Sequence, residues 1–541
     1  MKRRILAIAA VGITVVGAAA VYALADRSDD SKAAPANAFD CATFQVPAPA
    51  GAAVESLTAT TVPAGAFQVP GNPPLGGYPV PDVPAHCEVT VTLTHPGAND
   101  HAKVQVWLPT ADWNGRFQAI GGAAYAAGNI GGVATAVKQG YAAATTDAGV
   151  DTSGLDTSWG LTASGQVDSA LLENFSSRSV HELAVVGKQV VTKVYGQAAS
   201  YAYWNGCSTG GRQGYMEAQK YPTDFNGINA AAPAINWNQF EVATLWPQVV
   251  MNEAHTYPAA CTFNAFNQAV VQECDALDGI ADGLISDPGR CGFDPRRLIG
   301  AKVQCDGKEL TISEADADVV RKIWDGPRDA NGKQLWFGLP TGADFSALTA
   351  STTGANGVTT GVPFTVPAQW VATFVQKQPK FDTANLTYAQ FDQIFQQARA
   401  EYDSIIGTAD PDLSAFRAAG GKLITWQGDA DQLIPTAGTV DYRHRVEARL
   451  GGTAEVDDFY RVFLAPGVAH CALTGATVND LTALTAWVEH GQAPDVLRAS
   501  LTTAAGQTVS RDICRLPFVS RYRGDGDATD PAGFRCVAPT P

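Results

Sequence analysis

Beyond residue 25, the 541-residue chain contains no uncharged apolar run long enough to cross a bilayer. It also contains no Cys-x-x-Cys pair, which argues against a Cys-ligated structural zinc site. No internal repeat of fixed period is present, so the chain does not have the pattern of a repeat protein.

The first 25 residues have the order of a secretory signal peptide. Basic residues at 2–4 precede an apolar stretch at 5–21, and small residues at 23 and 25 flank the expected cleavage site after Ala25. The alternative is an uncleaved membrane anchor, because the stretch is nearly long enough to span a bilayer. No Cys follows the stretch, which argues against a lipoprotein. We predict a secreted protein with no membrane attachment after cleavage.

Positive charge is scarce. Removing residues 1–25 takes away three basic residues and no acidic one, so the formal charge goes from −16 to −19. Such a surface repels nucleic acid, and it is compatible with calcium. The ten cysteines form an even set in an exported chain, which predicts disulfides.

Strand and helix patterns alternate over most of the chain, which predicts an α/β fold with a parallel, helix-covered sheet. Strands are expected at 89–94, 103–108, 116–120, 141–146, 201–205, 422–426 and 459–464, and helices at 180–194, 436–450 and 480–490. The helix at 480–490 is read as the closing element of the fold.

The regular pattern is lost between residues 236 and 412, which we interpret as a lid domain inserted into the α/β domain. The predicted organisation is a lead-in at 26–40, a first part at 41–235, the lid at 236–412 and a second part at 413–541. The lid is rich in scattered aromatic residues, including Trp237, Trp246, Trp336, Phe337, Phe364 and Trp370. They either pack the lid core or stack on a substrate ring.

Residues 206–210 read Gly-Cys-Ser-Thr-Gly and lie between a predicted strand and a helix that ends near Lys220. Gly-x-Ser-x-Gly in this setting is the nucleophile elbow of an α/β-hydrolase, where a sharp turn exposes the Ser hydroxyl above the sheet. The alternative is an ordinary glycine-rich turn. We predict that Ser208 is the nucleophile of a hydrolase with the α/β-hydrolase fold.

A Ser hydroxyl needs a general base, and in this fold the acid and then the base follow the Ser in sequence. The later histidines are His255, His444, His470 and His490. Only His470 lies in a loop just after a late strand, so it is the predicted base. The acid is expected in the loop after strand 422–426, where Asp431 is favoured because the Gly-x-x-Asp spacing places it past the turn; Asp429 is the alternative.

The negative oxygen of an ester's tetrahedral intermediate needs two N–H donors. One is expected from Thr209, the residue after the nucleophile. The other should come from the early strand-to-helix loop, where we choose Gly122, with Gly121 and Ala123 as alternatives. An ordinary tight turn would give the same glycine pair.

Cys207-Ser208 together with His470-Cys471 resembles the tannase and feruloyl esterase family, from about Cys41 to Cys536. The resemblance implies a disulfide between Cys207 and Cys471, beside the catalytic residues. It also suggests Cys41 with Cys87, Cys514 with Cys536 and Cys274 with Cys291, which leaves Cys261 with Cys305. The chain departs from the family where Ala123 and Ala124 interrupt a glycine run.

The family also has a calcium site in its lid, and residues 275–284 resemble it. The resemblance implies ligation by the side chains of Asp275, Asp278 and Asp282 and by the carbonyls of Ile280 and Leu284, with a structural role for Ca²⁺. Carboxylates and carbonyls are the oxygen ligands that calcium prefers, although the spacing differs from an EF-hand. Without the resemblance this segment would be an acidic turn.

The resemblance implies hydrolysis of a small aromatic ester through an acyl-enzyme. Esters attached to a plant polysaccharide or polyphenol are among the substrates that it implies. Hydroxycinnamate (feruloyl-type) esters are the first expectation, and galloyl esters or a terephthalate monoester are the alternatives. A non-catalytic secreted binding protein is a hypothesis of another class. Peptidase or amidase action is a third, because the same triad could support it.

Overall fold

The computed structural model describes residues 41–539, apart from residues 43, 72–76, 151, 474 and 504–505. The predicted signal peptide (1–25) and lead-in (26–40) lie outside the described residues. Across the described part of the chain, no helix is both long enough and apolar enough to cross a membrane.

The strands are spread over the whole described chain. They are β1 (Ala53–Val62), β2 (Gly65–Val69), β3 (Tyr78–Val83), β4 (His86–Thr94), β5 (Ala102–Pro109), β6 (Arg116–Ile120), β7 (Ala142–Thr146), β8 (Tyr201–Cys207), β9 (Gly227–Ala231), β10 (Lys302–Cys305), β11 (Lys308–Thr311), β12 (Ser351–Thr353), β13 (Thr359–Gly361), β14 (Lys422–Gly428), β15 (Tyr460–Ala465), β16 (Thr477–Val478), β17 (Val496–Thr502), β18 (Thr508–Cys514), β19 (Val519–Tyr522) and β20 (Phe534–Val537).

The α-helices alternate with the strands and are denser in the middle of the chain. They are α1 (Ile130–Lys138), α2 (Ser169–Glu173), α3 (Ser179–Tyr195), α4 (Thr209–Lys220), α5 (Trp237–Ala243), α6 (Trp246–Ala254), α7 (Ala260–Cys274), α8 (Glu314–Asp325), α9 (Thr365–Gln369), α10 (Tyr388–Ile406), α11 (Ser414–Ala418), α12 (Thr436–Leu450), α13 (Thr453–Asp457) and α14 (Asp480–His490).

The central sheet has nine strands in the order β1-β4-β5-β7-β6-β8-β9-β14-β15. From β7 to β15 all neighbours are parallel, whereas β1, β4, β5 and β7 pair antiparallel. The predicted parallel sheet is therefore correct for six strands. The antiparallel edge arises because β4 and β5 are joined by only a short loop, which cannot make a parallel crossover.

Helices cover both faces of this sheet. One apolar cluster joins the sheet to α3, α4 and α12, and another joins it to α1 and α14. Two helices end where the sequence predicts, because Gly196 and Gly491 follow α3 and α14 in the left-handed conformation (φ 71° and 69°) that terminates a helix. The α/β-hydrolase fold is confirmed by this layered arrangement.

Between the end of β9 and the start of β14, no described strand joins the central sheet. This insertion contains α5 to α10, packed around the largest apolar cluster, which also includes Tyr125 and Phe175 of the first part. It also contains α11, whose Phe416 belongs instead to the cluster of the sheet, α3, α4 and α12. The insertion encloses the predicted lid, whose exact limits, 236–412, stay a prediction.

The expectation that α14 closes the fold is wrong. Four strands follow it: β17 and β18, which form a small sheet with β16 from before the helix, and the paired strands β19 and β20. In β17, Leu497, Ala499 and Leu501 are buried while the residues between them are more exposed. This period-two alternation is the strand signal that the sequence offered at this point.

Candidate active site

Ser208 lies in a one-residue turn between β8 and α4. Its backbone has φ 63° and ψ −122°, a strained conformation for a residue with a side chain. The turn is held because the Ser208 N–H donates to Ala231 O (3.1 Å) and the Ala234 N–H donates to Ser208 O (3.1 Å). Ser208 therefore has the geometry of a nucleophile elbow.

The glycines on either side of the elbow are required by close backbone contacts. A Cβ on Gly206 would lie 2.6 Å from the Gly210 carbonyl, and a Cβ on Gly210 would lie 3.1 Å from the Gly122 oxygen. The first distance is too short for any larger residue. The spacing Gly-x-Ser-x-Gly is thus explained by packing at this turn.

His470 and Asp431 form a buried pair beyond the ends of β14 and β15. The His470 Nδ1 lies 2.9 Å from Asp431 Oδ2 and 3.1 Å from Oδ1. Asp431 is fully buried and also accepts hydrogen bonds from the N–H groups of Leu433 (3.0 Å) and Ile434 (2.9 Å) and from Gln427 Nε2 (3.1 Å). These donors stabilise an ionised carboxylate, which fixes the proton on Nδ1 and leaves Nε2 as an acceptor.

The alternative acid, Asp429, is in a different environment. Burial raises its pKa to about 8, and the charge of Asp287 adds to the shift. A carboxyl that is neutral near pH 7 is a poor stabiliser of an imidazolium. Of the two aspartates, it is Asp431 that the structure places on His470.

A disulfide joins Cys207 to Cys471, with the two Cα atoms 6.0 Å apart and a sequence separation of 264. It brings together the residues next to Ser208 and His470. The described contacts include no hydrogen bond of Ser208 Oγ, and His470 Nε2 has a 3.5 Å contact with Cys471 Sγ. The disulfide is therefore the observation that places the nucleophile elbow beside the histidine loop.

The other four disulfides also have the expected partners. They are Cys41–Cys87, Cys261–Cys305, Cys274–Cys291 and Cys514–Cys536. All five pairings implied by the family resemblance are thereby confirmed, and no free cysteine is found among the described residues.

The prediction for the second oxyanion donor is wrong. The Gly122 N–H donates to Gln213 Oε1 (3.0 Å), so it is not available to a substrate. The alternatives are also occupied, because the Gly121 N–H donates to Asn205 O (3.0 Å) and the Ala123 N–H donates to Ala126 O (3.1 Å). The Thr209 N–H, at the first residue of α4, has no partner among the described residues.

Two glutamines near the site were missed by the sequence reasoning. Gln213 Oε1 accepts the Gly122 backbone N–H (3.0 Å), and Gln432 Oε1 accepts the His470 backbone N–H (3.0 Å). Both act through long-range hydrogen bonds, for which the sequence has no local signal. The other candidate histidines lie in or next to helices. His444 is within α12, His490 is the last residue of α14, and His255 follows the end of α6.

The acidic loop at 275–284 packs directly behind the histidine loop. A Cβ on Gly467 would lie 2.7 Å from Leu284 Cδ2, so the two loops are in contact. Asp275 accepts the N–H groups of Asp282 (3.0 Å) and Gly283 (2.8 Å), and Asp278 accepts the Ile280 N–H (3.1 Å) and the Ser286 hydroxyl (2.6 Å).

The negative charges of the three aspartates in this loop are only partly balanced by neighbouring positive charge. Burial raises the pKa of Asp278 to about 6, and the charges of Asp282 and Asp275 add to the shift. Arg511 donates to Asp282 and supplies one positive charge. The donor set suits a hard dication, yet no three His, Cys, Asp or Glu side chains within the described ranges converge as metal ligands.

The lid aromatics divide into two groups. Trp237 and Trp370 are fully buried and pack against each other with ring centroids 5.7 Å apart, so they form lid core. Phe337, by contrast, is partly buried and lines a small cavity of about 20 Å³ together with Leu433 of the Asp431 loop. Gln432, which holds the His470 backbone, lines the same cavity.

A strained Ser elbow at the carboxyl edge of a parallel sheet, whose Cys207 is bonded to the Cys471 beside an Asp-paired His, defines a serine hydrolase of the α/β-hydrolase class. Residues 87–537 match the family model described as tannase and feruloyl esterase. The chain belongs to this family.

Individual relatives match over nearly the full length. A probable feruloyl esterase from Arthroderma benhamiae is 45% identical over 507 residues, covering 92% of this chain and 93% of the relative. A mono(2-hydroxyethyl) terephthalate hydrolase from Piscinibacter sakaiensis is 30% identical, covering 84% and 85%. The solved tannin acyl hydrolase from Aspergillus niger superposes with a TM-score of 0.80 at 26% identity, covering 91% and 92%.

The disulfide between the catalytic loops should matter for rate more than a disulfide elsewhere. We expect C207A/C471A to lower kcat by about 10- to 100-fold at a temperature where it is fully folded, because small misplacements of reacting groups cost this much. The matched control, C514A/C536A, should lower Tm and keep kcat. Equal kcat in the two double variants would contradict this role.

The two aspartates of the acid loop should respond differently to the same change. D431N should lower kcat by about 10⁴-fold, because His470 would lose the partner that fixes its tautomer. D429N removes a carboxyl that is already neutral near pH 7 and should keep kcat. Steady-state kinetics on one chromogenic ester compares both, and a larger loss in D429N would exclude Asp431 as the acid.

Proposed function

We propose that this esterase hydrolyses hydroxycinnamate esters of the feruloyl type through a covalent acyl-enzyme on Ser208. The observation that carries the proposal is the disulfide from Cys207 to Cys471, which sets the elbow beside the Asp431–His470 pair. The 45% identity to a probable feruloyl esterase over nearly the whole chain supports the substrate class.

In the first half of the reaction, His470 Nε2 takes the Ser208 hydroxyl proton as Oγ attacks the ester carbonyl. Asp431 stabilises the imidazolium that forms, since its carboxylate faces Nδ1 at 2.9 Å. The negative oxygen of the tetrahedral intermediate is held by the Thr209 N–H at the positive end of α4. The leaving alcohol then receives the proton from His470.

In the second half, His470 takes a proton from water, and the resulting hydroxide attacks the acyl carbonyl. Collapse of the second tetrahedral intermediate breaks the bond to Ser208 Oγ, which recovers its proton from His470. Free aromatic acid leaves and the enzyme returns to its starting state.

Two other acyl groups are second candidates. The fold similarity to a tannin acyl hydrolase favours galloyl esters, and the similarity to a mono(2-hydroxyethyl) terephthalate hydrolase favours a terephthalate monoester. All three acyl groups carry an aromatic ring next to or near the carbonyl. A non-catalytic binding protein would have no need for a strained Ser beside an Asp-paired His. Amidase action is a separate alternative, and comparing kcat/KM on matched ester and amide substrates distinguishes it from esterase action.

We also propose that the protein is secreted and meets its ester on a plant polysaccharide or polyphenol. Five disulfides persist only in an oxidising compartment, which supports export. A disulfide-braced extracellular enzyme is suited to substrates that are too large to enter a cell.

The acidic loop is proposed to bind one structural Ca²⁺. The side chains of Asp275, Asp278 and Asp282 and the carbonyls of Ile280 and Leu284 would hold it, because carboxylate and carbonyl oxygens are calcium's preferred ligands. Bound calcium would supply positive charge to a loop in which the pKa values of Asp275 and Asp278 are raised. It would take no part in the ester chemistry.

The substrate class is tested with methyl ferulate, methyl gallate and mono(2-hydroxyethyl) terephthalate. We expect the highest kcat/KM for methyl ferulate, and S208A should lower the activity on all three by at least about 10⁴-fold. If methyl gallate or the terephthalate ester gives the highest kcat/KM, that acyl group replaces ferulate in the proposal. Full activity in S208A would contradict the acyl-enzyme.

Calcium binding is tested by thermal unfolding of EDTA-treated protein with and without added CaCl₂. Calcium at 100 times its Kd should stabilise the fold by about 2.7 kcal/mol, which raises Tm by a few degrees. D278N should remove this response, whereas D82N, a change at an exposed aspartate, should keep it. An unchanged Tm in wild type would contradict a structural calcium site.

A further inference from the structure

The oxyanion loop, defined here as residues 121–127, lies directly against the first turn of α4. The Gly210 N–H donates to Gly122 O (3.0 Å), and a Cβ on Gly121 would lie 2.6 Å from Gly210 Cα. The backbone of the loop therefore touches the backbone that follows the nucleophile. Small movements of the loop would change the space above Ser208.

Two buried side chains of α4 attach this loop to the helix. The Thr209 hydroxyl donates to Ala124 O (2.7 Å), and Thr209 is only 1% exposed. Gln213 is fully buried; its Oε1 accepts the Gly122 N–H (3.0 Å) and its Nε2 donates to Ala127 O (2.9 Å). Together they hold the start, middle and end of the loop.

These bonds leave two loop amides without a partner among the described residues, those of Ala124 and Ala127, and Ala127 is only 1% exposed. The N–H groups of residues 121, 122, 123 and 125 donate to Asn205 O, Gln213 Oε1, Ala126 O and Gly154 O. Within the described residues, the Ala124 N–H donates to nothing. Ala124 is half-buried, has φ 47°, and lies next to Thr209 through the hydroxyl bond to its carbonyl.

A buried or half-buried amide without a partner is uncommon, and at an esterase site it is suited to a developing negative oxygen. Because the Gly122 N–H donates to Gln213, it cannot donate to the substrate. Gln213 of α4 thus removes the Gly122 N–H from the loop amides that a substrate could reach, whereas backbone carbonyls occupy those of residues 121, 123 and 125.

We propose that Thr209, through its hydroxyl, and Gln213, through its amide, are positioning residues that fix the oxyanion loop so that the Ala124 N–H serves as the second oxyanion donor. This rests on the proposed acyl-enzyme at Ser208. The Thr209 N–H is the first donor, and its side chain places the second. Neither side chain touches the substrate.

The hydroxyl is tested with T209V, which has nearly the same shape and keeps the backbone N–H. We expect kcat to fall about tenfold with KM unchanged, because the tetrahedral state loses more than the ground state. T209S, which restores a hydroxyl, should recover most of this loss. T192V is the matched control, because Thr192 makes the same kind of hydroxyl-to-carbonyl bond on the exposed side of α3.

A second readout separates positioning from loss of stability. Phenylboronic acid forms a tetrahedral adduct with the Ser hydroxyl, whereas ferulate binds as the ground-state product. In T209V the boronate Ki should rise about tenfold and the ferulate Ki should stay within about twofold. A general loosening of the fold would weaken both ligands and would overturn the proposal.

Gln213 is tested independently with Q213E. A protonated Glu can donate to Ala127 O as Gln does, whereas an ionised Glu cannot and adds negative charge near the oxyanion. The ratio of kcat in Q213E to that in wild type should therefore fall as pH rises from about 5 to about 8. A ratio that does not change with pH would overturn the role of Gln213.

The failures are distinguishable. If S208A keeps activity, the acyl-enzyme is wrong and this proposal falls with it. If S208A is inactive while T209V behaves like T192V in kcat and in boronate affinity, only the positioning role is overturned. The positioning role is supported if kcat falls in T209V and recovers in T209S, and if the kcat ratio of Q213E to wild type depends on pH.

Discussion

The disulfide from Cys207 to Cys471 is the constraint on which the site depends. It joins the end of β8 to the loop after β15, two segments that are not neighbours in the sheet because β9 and β14 lie between them. Without a covalent link, the distance between the elbow and the histidine loop would be set only by packing across those two strands. A tetrahedral intermediate requires tighter positioning than loop packing ordinarily provides.

The surrounding structure supports both ends of this link. On the histidine side, Gln432 holds the backbone of His470, and Leu284 of the acidic loop packs on Gly467. On the nucleophile side, the end of β9 holds the backbone of Ser208 and the oxyanion loop lies on α4. The predicted lid thus contributes to the histidine side through Leu284.

The catalytic triad could be predicted from sequence because each member follows a strand of the parallel sheet. Each member lies in the turn or loop after its strand: Ser208 after β8, Asp431 after β14 and His470 after β15. Neighbouring parallel strands end at the same edge of the sheet. The choice between Asp429 and Asp431 depended on turn spacing alone, and the structure agrees through the contact with His470. The disulfide partners came from family resemblance, since ten cysteines allow too many pairings for the spacing to decide.

The second oxyanion donor could not be predicted in this way. The glycine pair at 121–122 marks where the loop approaches α4, but the Gly122 amide is occupied by Gln213, 91 residues from Gly122. The strands after α14 were not predicted, although β17 has as many residues as β8 and alternates apolar residues with Arg498 and Ser500. This alternation indicates a strand, but the sequence analysis ended the fold at the helix 480–490.

The most direct measurement of the central claim is covalent labelling by a fluorophosphonate, followed by mass spectrometry of the labelled peptide. The account predicts stoichiometric modification of Ser208 in the wild-type protein and a rate at least about 10³-fold slower in H470A, because the hydroxyl depends on His470 for activation. Modification at another residue, or an equal labelling rate in H470A, would contradict the pairing of Ser208 with His470.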